Sequence, residues 1–551
     1  MQSIFKSKVA RWLMMSALLV SVFPTQGFAA SAPVKNVIVV MIDGAGATHS
    51  TIARWYNSGS PLAVEQIVSG AIRTYSAESL ITDSAPAATA FATGNKSNTK
   101  FVGILPAKTT MPGVAQITED QKYKPVATIL EAAKLYGKSA GLVATSNIQH
   151  ASPAGYSSHT NNRGDYNDIA EQQVYLDINV LFGGGKQYLL PTEQGGKRTD
   201  GENMIDVLKA RGYQFVENRD QMSKVTSGNV WGLFADDDMA YEFDRREFRL
   251  QEPTLAEMTK KAIQLLSKNE KGFILFVEAS KVDWASHAND PIGVISDTLA
   301  WDDAVKEALS FAKADGQTMV LAFADHGNGG MSLGNKSTDN TYDTLPLANL
   351  VDPLKQATLT GEGVEKVLGS DLSESNIRFV MNNFYGIGDL TAEEVTAIQQ
   401  TKKGRMNYTV GPMISQRSVI GWTTNGHTGE DLFLYAYGPN KPTGTIDNTE
   451  LATIPAQSMG LDLKATDGKL FVEAGKAFAG LGATVTLDKS DAANPIVIVQ
   501  KGTKRAELPV SKNIVKLGEK SYTMKGLTIV AAKTGKIYIP QQAVDLITAE
   551  L

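Results

Sequence analysis

Residues 36–44 read N-V-I-V-V-M-I-D-G, a nearly uninterrupted apolar run that ends on an acid and a glycine. A run that short and that rich in β-branched residues matches a strand buried on both faces, the kind found in parallel sheets. Three further runs share the design. A-G-L-V-A at 140–144 leads into Thr145 and Ser146, F-I-L-F-V at 273–277 into Glu278, and M-V-L-A-F-A at 319–324 into Asp325 and His326. Between them lie stretches with apolar residues at helical spacing, such as 254–268 and 295–313. The alternation predicts an α/β fold of three layers, with a mostly parallel central sheet covered by helices on both faces. In such sheets the binding crevice lies beyond the carboxyl ends of the strands. Three of the four runs deliver a carboxylate there: Asp43, Glu278 and Asp325.

A second stretch, T-D-S-A-P-A-A-T-A-F-A-T-G at 82–94, reads as a helix. Asp83 is suited to its amino-terminal cap, Pro86 is tolerated in its first turn and Gly94 ends it. Ser84 then sits where free backbone N–H groups and the helix dipole favour an anion. Taken alone, Ser84 reads first as a capping serine on a buried helix, with a nucleophile toward an anionic substrate as the alternative.

The chain has 551 residues, a formal charge of −5 and no cysteine. Thiolate metal sites and disulfides are therefore excluded, and no overall positive field points to nucleic acid. Residues 1–29 combine Lys6, Lys8 and Arg11, an apolar run over 12–22 and the small residues Gly27 and Ala29, which predicts a cleaved signal peptide. The mature protein is then secreted, extracellular or wall-associated, or periplasmic in a host with an outer membrane. Residues 330–420 are predicted to be an irregular insertion beside the site, with two short helices over 374–384 and 391–401, and 439–454 to be a linker. From 461 to 551 the composition shifts to 13 Lys and Arg against 9 Asp and Glu, without histidine, which predicts a small C-terminal α+β domain. Within it, G-K-L-F-V-E-A-G-K-A-F at 468 echoes G-K-I-Y-I-P-Q-Q-A-V at 535, each a strand leading into a helix.

The six histidines are His49, His150, His159, His287, His326 and His427. His326 adjoins Asp325, His287 lies four residues after Asp283, and His427 sits in the turn N-G-H-T-G. With Asp43 and Glu278 they offer nitrogen and oxygen ligands suited to Zn²⁺ and oxygen ligands suited to Mg²⁺.

At this point the chain resembles the alkaline phosphatase family over nearly all of 36–439. The resemblance rests on I-D-G-A-G at 42, T-D-S-A at 82, H-A-S-P at 150, V-E-A-S-K-V-D-W-A-S-H at 277, A-D-H at 324 and N-G-H-T-G-E-D at 425. It implies a catalytic domain over 30–455 that hydrolyses small phosphate monoesters at alkaline pH through a phosphoserine on Ser84. It implies two zinc ions, one on Asp283, His287 and His427 and the other on Asp43, Asp325, His326 and Ser84. A Mg²⁺ on Asp43, Ser152 and Glu278 and a phosphate clamp at Arg163 complete the implied set. Dimerisation is implied by the resemblance alone. The tail resembles the domain named after the amino end of copper amine oxidases. Lacking His and Cys, it is not expected to bind copper, while its basic excess suits anionic cell-wall polymer.

Two positions depart from the enteric branch of the family, where His150 replaces an Asp and Trp284 a Lys. Both bear on the third cation. A sulfatase or phosphodiesterase on the same fold is an alternative, and so is a non-catalytic phosphate- or wall-binding protein. Sulfatases place Pro and Arg two and four residues after the nucleophile; here Pro86 is present but Ala88 stands in place of Arg. The G-A-G at 44–46 lacks the third glycine of a dinucleotide fingerprint, and G-G-G-K at 183–186 lacks P-loop spacing. His49 and His159 are expected to be non-ligands, and Asp236–Asp238 an exposed acidic loop.

Overall fold

The four apolar runs lie side by side in one sheet. Asn36–Ile42, a strand over the residues expected, runs parallel between Phe273–Ala279 and Thr318–Ala324, and Ser139–Asn147 flanks Phe273–Ala279. The computed structural model describes residues 34–550, so the expected signal peptide lies outside the described residues. From edge to edge the ten strands are Gly444–Asp447, Val68–Arg73, Leu432–Tyr437, Thr318–Ala324, Asn36–Ile42, Phe273–Ala279, Ser139–Asn147, Val180–Gly184, Val230–Leu233 and Gln214–Val216. All pairings are parallel except those of Leu432–Tyr437, which runs antiparallel to both neighbours.

Strand alternation sorts the core into two layers. Ile38, Val40 and Ile42 face one layer, and Val37, Val39 and Met41 face the other. The first layer is covered by the helix Pro291–Asp315, which Asp290 caps by accepting from the Ile292 N–H and Gly316 ends at φ +71°. Its Trp301 indole donates to the Val40 carbonyl at 2.9 Å. The second layer is covered by the helix Ser84–Thr93, all ten residues of which are buried. Phe91 from this helix packs among Tyr156, Phe276 and Phe323. The helix Ala151–Ser157 lies against it so closely that a Cβ on Gly155 would come within 2.4 Å of the Ala88 Cβ.

Two sequence expectations are corrected here. The stretch 330–420 is largely helical rather than irregular: the two expected helices are there as Glu374–Phe384 and Ala392–Gln399, and Leu347–Lys355, Gly361–Leu368 and Met406–Arg417 join them. These helices are short and two contain a proline, so periodicity is hard to read, yet they bury Val351, Val364, Ile377, Ile398 and Val410 in the same core as the sheet. The expected linker 439–454 instead supplies an edge strand, Gly444–Asp447, and the start of the helix Glu450–Ser458.

The C-terminal segment forms a five-stranded antiparallel sheet from Thr484 to Thr523 and a smaller three-stranded one. The two echoing segments pair with each other, Val472 opposite Ile539, and each leads into a helix. Phe478, Val497, Leu508, Val515 and Ile539 fill a core of their own. Among the described residues no helix is long and apolar enough to cross a membrane.

Candidate active site

Sheet register sets the acids. Met41 pairs with Glu278 and Ile42 with both Ala279 and Ala324, so Asp43 and Asp325 leave their strands at one level and Glu278 lies two residues back on the third adjacent strand. Asp283 and His287 sit one turn apart on the helix Lys281–His287. His427 arrives from the far end of the chain because His427–Thr428 pairs antiparallel with Gly327–Asn328, beside His326.

These side chains fall into two triads. In one, His287 Nε2 and His427 Nε2 are 3.3 Å apart and lie 3.4 and 3.7 Å from the Asp283 oxygens. In the other, His326 Nε2 is 3.2 Å from Asp325 Oδ2, 3.6 Å from Asp43 Oδ1 and 3.1 Å from Ser84 Oγ. Ligands bound tetrahedrally at about 2.0–2.1 Å stand about 3.3 Å from one another, so both sets have the spacing of zinc donors. The tautomers agree. His287, His326 and His427 each turn Nδ1 to a backbone carbonyl, of Asn425 at 2.6 Å, Gly327 at 3.2 Å and Thr82 at 2.8 Å, which leaves the Nε2 lone pair for a ligand role. Asn328 donates to Asp283 Oδ1 at 2.7 Å and fixes that carboxylate, while the Gly44 and His326 N–H groups both donate to Asp325 Oδ1 and leave Oδ2 free.

The electrostatics also call for cations. Asp43 Oδ1 and Oδ2, Asp325 Oδ2, Glu278 Oε1 and Ser152 Oγ are buried without a hydrogen-bond partner among the described residues. Buried orphans of this kind are costly unless an ion compensates them. Burial, together with the charges of Asp325, Asp283 and Glu278, holds Asp43 well above the ordinary carboxylate range. Glu278 and Asp325 are each pushed up to about 7, chiefly by burial. Asp283 is the exception. Burial pushes it up, but the His287 hydrogen bond and the charges of His326, His287 and His427 outweigh that and hold it low.

A third group brings Asp43, Glu278 and His150 within ligand range of one another. His150 is otherwise engaged, because its Nε2 accepts from Arg163 Nη2 at 3.0 Å. Burial and then the Arg163 charge push it down to about 3, so it is neutral. A neutral imidazole that accepts at Nε2 carries its proton on Nδ1 and has no second lone pair to give. Serving Arg163 and ligating a cation are therefore exclusive, and with His150 so placed Asp43 and Glu278 are the free donors of that group. The T-shaped contact of Trp284 with His150, centroids 5.7 Å apart, supports this placement.

Sequence reasoning missed the partner of Arg163. Asp83 occupies the cap position of the helix Ser84–Thr93, but its carboxylate does not cap; it accepts from Arg163 Nη1 at 2.6 Å and anchors the guanidinium next to Ser84. An acid directly before a candidate nucleophile was the available signal, and the cap reading concealed it. His49, between the Gly46 N–H and Ser286, and His159, between Gly103 and Glu131, lie outside all three groups.

The sequence matches the family described as Alkaline phosphatase across residues 34–461. Alkaline phosphatase 3 of Bacillus subtilis is 35% identical over 458 residues, an alignment that spans 79% of this chain and 91% of that protein. The solved alkaline phosphatase of Thermus thermophilus superposes with a TM-score of 0.68 at 27% identity, over 81% of this chain and 96% of its own. A variant of the alkaline phosphatase from the Antarctic bacterium TAB5, with one histidine replaced by Asp, is 25% identical, superposes with a TM-score of 0.55 over 78% of this chain and 99% of its own, and holds Mg in a site designated M3. A match that runs through the whole α/β body and stops where the C-terminal sheets begin makes the assignment plain: the chain belongs to the alkaline phosphatase family and is an enzyme of that class.

Proposed function

We propose that the protein is an exported phosphomonoesterase that transfers the phosphoryl group of a small monoester to Ser84 and then to water. The observation that carries this reading is the position of Ser84 Oγ, 3.1 Å from His326 Nε2 in one zinc-spaced triad and beside the helix end that faces the other. Asp283, His287 and His427 would hold one zinc ion, and Asp43, Asp325, His326 and Ser84 the second. Asp43, Ser152 and Glu278 would hold Mg²⁺, as the Mg in the TAB5 variant suggests for this part of the fold. Bound there, the cations supply Lewis-acid charge that lowers the pKa of a nearby hydroxyl and offsets charge on a departing alkoxide.

The chain's own residues supply the geometry. Ser84 Oγ gives its proton to solvent and bonds to phosphorus as the ester oxygen leaves, takes up a proton and departs as the alcohol. Water then breaks the bond to Oγ, releasing phosphate and restoring the hydroxyl. Arg163, held by Asp83 and His150, presents a planar fork to two non-bridging oxygens. The amino end of the helix Ser84–Thr93 adds N–H groups to the same anion. Export rests on the basic-then-apolar composition of residues 1–29.

The test compares an aryl phosphate, an aryl sulfate and a phosphate diester at alkaline pH, with phosphate trapped on the enzyme at acidic pH. Monoester turnover with label on Ser84, lost in Ser84→Ala by at least about a thousandfold, is the expected result. Turnover that survives Ser84→Ala would overturn the covalent route, and preference for the sulfate or diester would overturn the substrate class.

A further inference from the structure

The C-terminal module lies beyond the family match, yet it belongs with the body to one compact unit. Three consecutive module residues make the joint. Ser511 donates to Asp168; Lys512 Nζ reaches Glu171 at 3.1 Å and Glu202 at 2.6 Å; Asn513 donates to Asp177 at 3.0 Å. Ser511 and Asn513 are buried, 3% and 2% exposed, so the module's side of this joint is largely withdrawn from solvent.

Asp168 and Glu171 lie on the helix Tyr166–Tyr175, whose first residue follows Arg163 by three positions. On the opposite side the same helix buries Ile169 against Ala85, Ala151 and Ala154, the neighbours of Ser84 and Ser152. The Arg163 N–H donates to the Lys100 carbonyl, and the flanking Asn162, Gly164 and Asp165 bond mainly to one another, so the helix that follows is this short loop's link to the body on that side. The helix carries two acids, Asp168 and Glu171, and both meet the module. Glu171 is buried, and besides Lys512 its cationic partner is Arg198 at 3.4 Å, so without the module that carboxylate keeps one distant cation.

We propose that the module is a working part of the phosphatase: Ser511 and Lys512 are positioning residues that brace the helix Tyr166–Tyr175 and so fix Arg163 for phosphate binding. This rests on the clamp role given to Arg163 above. It is also a different job from contact with a cell wall, because it uses the module's inward face.

The test is a double-mutant cycle in the full-length protein, read as the inhibition constant of inorganic phosphate. Ser511→Ala with Lys512→Gln is expected to weaken phosphate inhibition about fivefold, the coupling expected of residues in one packed network, and to raise KM for an aryl phosphate alike with kcat nearly unchanged. In an Arg163→Ala background the same pair should change neither constant. Asp120→Asn, which loses the module's exposed contacts with Lys476 and Lys536, should leave phosphate inhibition as it was. Equal fold-changes with and without Arg163, or no change in a folded double variant, would overturn the brace. If Arg163→Ala itself leaves phosphate inhibition intact, the clamp reading fails instead, and faster hydrogen exchange over Tyr166–Tyr175 in the double variant still reports the brace. Should the double variant not fold, Ser511→Ala alone goes through the same cycle with the same criteria.

Discussion

Adding one methyl group at Gly155 sets two ordinary rules against each other. Gly155 lies inside the helix Ala151–Ser157, where alanine is intrinsically better than glycine by about 0.8–1.0 kcal/mol. The new Cβ, however, would stand 2.4 Å from the Ala88 Cβ, 3.0 Å from the Ala88 carbonyl carbon and 3.3 Å from its Cα. None of these atoms can rotate away, so the two helices must separate by roughly 1 Å to restore van der Waals contact, and overpacking of that kind costs about 1–3 kcal/mol. With backbone as the obstacle the upper end applies, and Gly155→Ala should lose about 2 kcal/mol net. Activity should suffer more. Ala88 is one turn from Ser84 and Gly155 three residues from Ser152, and a misplacement of about 1 Å can cost about a hundredfold in rate. The assay is urea unfolding beside kcat for an aryl phosphate in zinc-saturated buffer. A variant as stable and as active as the parent would refute the reasoning, because helix propensity would then have outweighed packing.

Chelation should abolish phosphate release and zinc should restore it. Metal analysis should find about two zinc ions per chain, falling to about one in His427→Ala, since that triad then keeps two protein ligands. His150→Asp adds a carboxylate beside Asp43 and Glu278, and it should tighten Mg²⁺ binding at least about tenfold by direct titration. His159 supplies a pH test. Burial lowers its pKa, but the charge and hydrogen bond of Glu131 and the Gly103 carbonyl outweigh that and raise it. The stability this contributes is complete below the ordinary value of about 6.5 and fades as pH rises through the raised value, so unfolding free energy in His159→Gln should lose that decline.

What could be read from the sequence followed the length and purity of each signal. The strand Asn36–Ile42 and the helix Ser84–Thr93 are long or uniform enough that their ends fall within a residue of the expected ones. Within 330–420 the helices Glu374–Phe384 and Ala392–Gln399 fall on the two stretches expected, whereas Leu347–Lys355, Gly361–Leu368 and Met406–Arg417 were obscured because helices of 8–12 residues, two of them carrying a proline, present too few turns for the 3.6-residue period to emerge. Gly444–Asp447 was obscured because a four-residue edge strand has hardly any pattern at all. At the site, residue types and spacing brought forward a pool of His, Asp and Glu candidates, and it was the family resemblance that grouped them into sets. Pairings across long separations, such as Asp83 with Arg163 and His427 with Gly327–Asn328, depend on where the chain returns and were not legible.

The one reversed strand of the sheet, Leu432–Tyr437, has a consequence for timing. Its direction brings His427 to the edge where Asp43 and Asp283 wait, so one triad is divided between early and late parts of the chain. The strands Asn36–Ile42, Phe273–Ala279 and Thr318–Ala324 are all made before that histidine emerges, whereas Val68–Arg73 pairs only with strands that follow it. Until the reversed strand docks between Val68–Arg73 and Thr318–Ala324, the triad has only Asp283 and His287. Delivering a donor near the end of the body thus works as an interlock: the Ser84 hydroxyl is made early, but the set of donors around it is complete only when the body is.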